Sequence, residues 1–358
     1  FCDQYCFYIT YLYFCTIHNN EQDRKKFNNK HDQKQNMQPL KYNYIIAGGS
    51  ADYYHVAYSD LDNLPNVIYY SGYIDGINSR IKRLLARINF NIRVNKFVET
   101  PLRKFVNPWL YPNTFDGDNL CFVFFECQYA IINSDYIQYL RQNYPKAKLV
   151  LYMQDIVASL PCYDISRYKK FFDLILSYDK GDSERYGLLY YPTPYSKIHF
   201  KKIITEDIDV FFCGASKNRY DEIISTYRKC TSRGLKCKFF VTGVPADKQV
   251  REKGLIYNTP ITYEENLAYI AKSKCILEIL QKKAEGYSLR LWEAITYDKH
   301  LLTNNTYVCS SQYWTSGGIH LLSDNLDLTF INSPITYPDY MKESTSPINM
   351  LYFIEKLC

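Results

Sequence analysis

From Met37 onward, short apolar runs alternate with longer stretches of mixed polarity. Alternation of this kind predicts βαβ units around a parallel sheet, whose strands are covered on both faces and so read as unbroken apolar runs. The predicted strands of the first half are Tyr42–Ala47, Asn66–Tyr70, Leu120–Phe125, Lys148–Gln154 and Leu174–Tyr178. Between them, Ile77–Asn89 sets Ile77, Ile81, Leu84, Leu85 and Ile88 on one helical face, and Ser134–Tyr144 has a similar spacing. Pro192 and Pro194 break regular structure at Tyr190–Ser196. A second series follows, with strands at Asp209–Cys213, Lys238–Thr242, Cys275–Leu280 and His300–Thr303. Its helices fall at Arg219–Ser232, Tyr263–Ala271, Leu289–Tyr297 and Asn349–Leu357, and Gly234 is a plausible stop for the first of them.

The pattern therefore predicts α/β architecture: two Rossmann-like domains facing across a cleft. The expected divisions are a leader at 1–36, an N-terminal Rossmann-like domain at 37–196, and a C-terminal Rossmann-like domain at 197–358 that ends in the terminal helix. In open α/β sheets ligands bind beyond the carboxyl ends of the strands, so the residues just after each strand are the ones to weigh.

The strongest local signal is Glu285-Gly286-Tyr287-Ser288-Leu289-Arg290-Leu291-Trp292-Glu293-Ala294. It follows a buried strand, opens with a glycine loop and enters a helix, so backbone N–H groups and the positive helix end converge on one spot. A diphosphate fits there, and a carboxylate beside it can accept hydrogen bonds from the vicinal hydroxyls of a sugar. Lys217 and Arg219 follow the strand end at Gly214. Arg290 lies in the helix's first turn, where the dipole disfavours a cation unless an anion is present.

This Glu-x7-Glu segment resembles the donor-site motif of retaining glycosyltransferases of the GT-B fold, especially glycosyltransferase family four and its bacterial lipopolysaccharide and capsular-polysaccharide relatives. The segments Asp209–Gly214 and Leu301–Asn305, and Asp179–Gly187 before the hinge, are similar to parts of the same family, over about residues 145–305. The resemblance implies that Glu285 contacts the transferred sugar as the catalytic carboxylate and that Glu293 holds the donor ribose. It also implies that Gly286, Tyr287, Ser288 and Leu289 face sugar and phosphates, with Gly214, Lys217 and Arg219 at the diphosphate. Two departures stand out. Ser288 takes the place of a frequent glycine, and Tyr297-Asp298-Lys299-His300 replaces a small-Gly-Lys-Pro run. On the acceptor side the resemblance points to Gly48 and Gly49 after the first strand. Asp155, at the end of a later strand, is placed in the same way, with His55 a few residues past the first loop.

Asp60/Asp62, Asp116/Asp118 and Asp207/Asp209 form Asp-x-Asp pairs, but they precede strands or lie in a polar connection. They read as turns and caps, and no metal or other cofactor is expected. No P-loop, His-Glu-x-x-His or serine-nucleophile motif occurs.

Composition adds constraints. A net charge of +6 suits an enzyme of anionic nucleotides and is compatible with peripheral contact at an acidic membrane surface. Without a basic stripe interleaved with aromatics, nucleic acid is not an expected partner. The 12 cysteines include no Cys-x-x-Cys pair and read as reduced, buried thiols of a cytoplasmic protein, such as Cys121, Cys213 and Cys275. The apolar start, Phe1–Thr16, carries Asp3 and Gln4 and is shorter than the roughly 20 residues needed to span a bilayer. It reads as an upstream extension ahead of a domain beginning near Met37.

The expected activity is sugar transfer from a nucleotide diphosphate sugar to a cell-surface glycan or lipid-linked precursor, as in lipopolysaccharide assembly. An epimerase of the same fold and a non-catalytic nucleotide- or sugar-binding protein are the rivals.

Overall fold

The structure, a computed structural model, describes residues 39–91, 103–157, 160, 164–196, 205–281, 286–323, 327–343 and 345–358. Residues 41–358 form one compact unit. The leader assigned to residues 1–36 lies outside the described residues.

The first sheet contains β1 (Asn43–Ala47), β2 (Val67–Tyr70), β3 (Leu120–Phe125), β4 (Lys148–Met153), β5 (Leu174–Ser177) and β6 (Leu189–Tyr190). All pairings are parallel, in the order β2-β1-β3-β4-β5-β6. The helices used below are α1 (Asp52–Ala57), α2 (Arg80–Asn89), α3 (Arg103–Val106), α4 (Tyr136–Asn143) and α5 (Lys180–Tyr186). Strand β3, Leu-Cys-Phe-Val-Phe-Phe, is buried at every position. Its Phe122 and Phe124 enter one apolar cluster with Ile45, Leu149 and Leu151, and Phe125 meets Tyr54, Tyr58 and Tyr152.

The second sheet contains β7 (Ile208–Ala215), β8 (Cys237–Thr242), β9 (Leu255–Tyr257), β10 (Ser273–Glu278), β11 (His300–Thr303) and β12 (Ile319–Leu321). Its order, β12-β11-β10-β7-β8-β9, is again wholly parallel and is that of a dinucleotide-type sheet read from its far edge. Helices α6 (Tyr220–Thr231), α7 (Tyr263–Ala271) and α8 (Leu289–Thr296) connect its strands, and α9 (Pro347–Leu357) ends the chain. Two Rossmann-like domains, six strands each, are the fold class the sequence predicts. The unforeseen strands β6, β9 and β12 have two or three residues each, too short to show as an apolar run.

The two carboxyl-end faces meet. Asp179, after β5, makes an antiparallel bridge with Gly286, after β10. Asp52 Oδ2 accepts the Tyr263 N–H at 2.5 Å, joining α1 to the start of α7. The Pro-rich connection is anchored: Tyr152 donates to the Pro192 carbonyl at 3.0 Å, and the Tyr195 and Ser196 N–H groups bond Thr345 and Ala57.

Two placements are decided only by the fold. Helix α9 was grouped with the C-terminal domain, yet it packs on the first sheet. Glu355 Oε1 accepts the Lys41 N–H at 2.5 Å, Tyr44 donates to the Leu351 carbonyl at 3.2 Å, and Phe353 meets the Tyr191 ring at 5.0 Å. An amphipathic helix buries its stripe wherever an apolar surface stands open, and Tyr44 and Tyr191 supply one here. The second concerns α2. Ala86 and Asn89 face inward, while Ile81, Leu84 and Ile88 point to solvent.

Candidate functional site

In the second sheet the strand order reverses between β7 and β10, and a crevice opens beyond their carboxyl ends. Strand β7 delivers Cys213 and Gly214 there, with Arg219 one turn on at the start of α6. Arg219 donates to the Ala215 carbonyl from Nε at 3.2 Å and from Nη2 at 3.1 Å, and to the Ile279 carbonyl from Nη1. Arg290, entering from α8, donates to the Cys213 carbonyl and lies 5.5 Å from the Phe212 ring centre. The two guanidinium groups converge on Gly214. A Cβ added there would lie 2.9 Å from Arg290 Nη2 and 3.5 Å from Arg219 Nη2.

Neither arginine forms an ion pair among the described residues. Burial, then the charge of Arg290, pushes the Arg219 guanidinium down to about 10, against the opposing pull of Glu278 and Glu222. Two adjacent cations that, among the described residues, bond to carbonyls can receive a multiply charged anion.

Glu278 closes β10 and is buried between hydroxyls. Ser288 Oγ donates to its Oε1 and Thr303 Oγ1 to its Oε2. Ser288 also caps α8, accepting the Arg290 N–H at 3.2 Å. The serine that departs from the family pattern thus joins helix start to strand end. Sequence reasoning passed over Glu278, whose signal is a lone charge at the end of Cys275-Ile276-Leu277. The second departure has a similar resolution. Asp298 adopts a left-handed φ of 52°, a region that glycine enters at least cost, and is held there by the Tyr337 N–H at 2.8 Å and the Lys342 ammonium at 2.7 Å.

Glu293 is buried on the inner face of α8. Its Oε1 accepts the Tyr263 hydroxyl at 2.7 Å and the Asn266 amide at 3.3 Å. The Tyr263 and Tyr195 hydroxyls are in hydrogen-bond contact at 3.1 Å, so the carboxylate is tied to the interdomain connection. Burial raises the Glu293 carboxyl above its ordinary value, while Arg290 and these two hydrogen bonds hold it down.

Glu285, the expected catalytic carboxylate, lies outside the described residues. Gly286 packs against the other domain: a Cβ there would meet the Tyr178 carbonyl at 2.7 Å and Asp179 Cα at 3.1 Å. Gly286→Ala should cost about 1–3 kcal/mol by overpacking. Thermal unfolding should then shift down by roughly 2–4 °C for each kcal/mol. An unchanged midpoint would show that the gap opens freely. Tyr287 stacks edge-on with Trp292 at 5.9 Å and Tyr313 at 5.8 Å, and Leu289 is a half-buried first helical residue. Lys217 is exposed at a left-handed φ of 40°, next to the crevice in sequence but with none of the carbonyl bonds that orient Arg219.

On the facing domain, Gly48 and Gly49 have a packing role. A Cβ on Gly48 would fall 2.1 Å from the Tyr69 hydroxyl, and one on Gly49 would fall 1.9 Å from the Tyr54 ring. The Asp155 carboxylate turns back on the Ile156 N–H at 2.9 Å, and His55 is exposed. The first-sheet group that sequence reasoning missed is Glu126, directly after β3 at the reversal between β1 and β3. Its Oε2 accepts the Gln154 N–H at 2.8 Å. Burial pushes its carboxyl up to about 8, the Asp155 charge adding to the rise and the Gln154 N–H opposing it. The unfolded chain ionises this group near 4.5 and the folded chain near 8, so its contribution to stability is complete below 4.5 and lost as pH rises toward 8. Glu126→Gln should flatten that decline in a series of denaturant titrations across pH. A decline of unchanged slope would place its origin elsewhere.

The Asp-x-Asp pairs lie away from both crevices. Asp118 precedes β3 and pairs with Lys146 at 2.8 Å, Asp209 sits at the amino end of β7 with Lys274 at 2.8 Å, and Asp60 accepts the Ser346 hydroxyl at 2.6 Å.

Fold and site together describe a two-domain α/β chain with two arginines converging at the reversal of its second sheet. No family model matches the chain, and no curated protein matches it. Among solved structures it is similar to TarM, at 11% identity and a TM-score of 0.42, covering 70% of this chain and 50% of that one. An alpha-glucosyltransferase in complex with UDP-glucose and DNA gives 16% and 0.38, covering 66% of this chain and 73% of that one. The UDP-GlcNAc 2-epimerase of Methanocaldococcus jannaschii gives 12% and 0.39, covering 65% and 75%. The chain spans half the length of TarM, and likeness at this level transfers no activity.

Proposed function

We propose that the chain is a glycosyltransferase that takes its sugar from a nucleotide diphosphate sugar. The observation that carries this reading is the convergence of Arg219 and Arg290 on Gly214, beside the capped start of α8. As the bond from the anomeric carbon to the diphosphate breaks, negative charge gathers on the leaving oxygen. Preorganised guanidinium and backbone N–H groups stabilise that charge more than the ground state. Glu293 would accept the hydroxyls of the donor ribose, Glu285 would contact the transferred sugar, and the acceptor would enter beside β1, β3 and β4. Retention of configuration, a cell-surface glycan or lipid-linked acceptor, a cytoplasmic site of action and a mechanism without metal belong to the same proposal. Among the described residues no helix is long and apolar enough to cross a membrane.

Glu126 favours a second reading. A carboxyl pushed up to about 8 can exchange protons near neutrality, which an epimerase of this architecture requires. Incubation with a panel of nucleotide sugars, with glycan, lipid-linked or DNA acceptors and with none, separates the two. A transferase releases nucleoside diphosphate when its acceptor is present. An epimerase converts the sugar without acceptor, and a binding protein does neither. Activity should also survive EDTA. Its loss and restoration by manganese would overturn the arginine-based account.

A further inference from the structure

Helix α2 has the sequence Arg-Ile-Lys-Arg-Leu-Leu-Ala-Arg-Ile-Asn and contains no acidic residue. Ile81, Leu84 and Ile88, spaced i, i+3 and i+7, form one stripe along it. That stripe faces water: Ile81 is 73% exposed, Leu84 58% and Ile88 44%. Helix α3 packs beside α2 and adds Phe105, 70% exposed. Arg80, Arg83 and Arg87 have the same spacing one residue earlier, so a row of guanidinium groups runs along one edge of the stripe. Lys104 stands next to Phe105. Lys82, on the same helix, lies 5.0 Å from the Trp109 ring centre. Large apolar side chains at these exposures are not isolated surface residues: three share one helical stripe, the fourth is on the neighbouring helix, and basic residues flank them.

We infer that α2 and Phe105 form a docking surface for an anionic lipid bilayer. An apolar stripe edged by arginine and lysine matches the boundary between acyl chains and acidic headgroups, with the stripe immersed and the cations among phosphates. A second copy of the chain fits less well. A twofold contact through the stripe would bring the arginine rows of both copies together, and a strip one helix wide falls short of the roughly 800 Å² per partner of a stable interface. Nucleic acid would satisfy the arginines and leave Ile81, Leu84, Ile88 and Phe105 uncovered. The surface lies on the N-terminal domain, outside both crevices, so the inference does not depend on the transferase reading and its readout requires no donor.

The test is co-sedimentation of the full chain with vesicles of phosphatidylcholine alone and of phosphatidylcholine mixed equally with phosphatidylglycerol. Binding to the mixed vesicles should exceed binding to the neutral ones by about tenfold or more and should weaken as salt is raised. Leu84→Asp with Phe105→Asp, and separately Arg80→Glu with Arg87→Glu, should each lower it by about tenfold or more. All four side chains are on the surface, so unchanged melting temperatures will confirm that the variants are folded. Failure of the unaltered protein to sediment with the mixed vesicles, or undiminished binding by both variants, overturns the inference. So does a dimer in sedimentation velocity that the Leu84→Asp, Phe105→Asp variant converts to monomer without lipid, since that would assign the stripe to a second copy.

Discussion

Replacement of Arg219 and Arg290 together by alanine is expected to abolish measurable binding of a nucleoside diphosphate. Each guanidinium can donate charge-assisted hydrogen bonds to a diphosphate, at about 1.5–3 kcal/mol per bond, or roughly tenfold to a hundredfold in Kd for each residue. The two side chains meet at Gly214, so their effects should not add, and single variants are needed beside the double one. Lysine at both positions keeps the charge and loses the fork, so it should restore binding only in part. Because Arg219 also bonds Ala215 and Ile279, its removal frees buried carbonyls, and the melting temperature must be followed alongside. Calorimetry showing unchanged affinity in a folded double variant would exclude this crevice as the diphosphate site. If the arginines act on developing charge, partial variants should lose kcat; if they hold only the ground-state donor, KM should rise instead.

Glu293 is expected to separate a structural role from a binding role. In Glu293→Ala the Tyr263 hydroxyl and Asn266 amide lose their acceptor in a buried setting, a cost of about 1–3 kcal/mol to stability. Glu293→Gln keeps an acceptor oxygen for both donors and should be close to the parent in stability. Its weaker, neutral acceptor should still lower affinity for a ribose-bearing nucleotide by about 1–2 kcal/mol, the difference between charged and neutral hydrogen bonds. Parent-like affinity in the glutamine variant would confine Glu293 to holding Tyr263 and the interdomain connection.

Much of this molecule is legible in order. Leu120–Phe125 is apolar at six consecutive positions because a parallel strand covered on both faces tolerates nothing else. The glycine loop running into a helix at Gly286–Leu289 is equally direct, since Ser288 can cap and the following residues favour helix. The arginines were visible as cations near strand ends, and their convergence was not. Arg290 comes from a different βα unit than Arg219, and only the pairing of β7 with β10 brings them to one glycine. Glu278 and Glu126 were overlooked for a related reason. A single carboxylate at a strand end has no pattern of its own and acquires meaning only from Ser288 and Thr303, or from Gln154, across the sheet.

The periodicity of α2 shows the limit from the other side. Spacing identifies an apolar face and cannot say what covers it. Asn89 and Ala86 face the core, and Ile81, Leu84 and Ile88 do not. Glycine is similar: a missing Cβ at Gly48, Gly49 and Gly286 leaves space, and only the fold brings Tyr69, Tyr54 and the Tyr178 backbone beside them. The sequence by itself determined the elements, their alternation and hence two parallel sheets, because backbone preference and burial on two faces are local, short-range constraints. Which helix faces water, which domain α9 covers and which charges share a crevice were decided by tertiary structure, because each depends on residues far apart in the chain brought together by strand order.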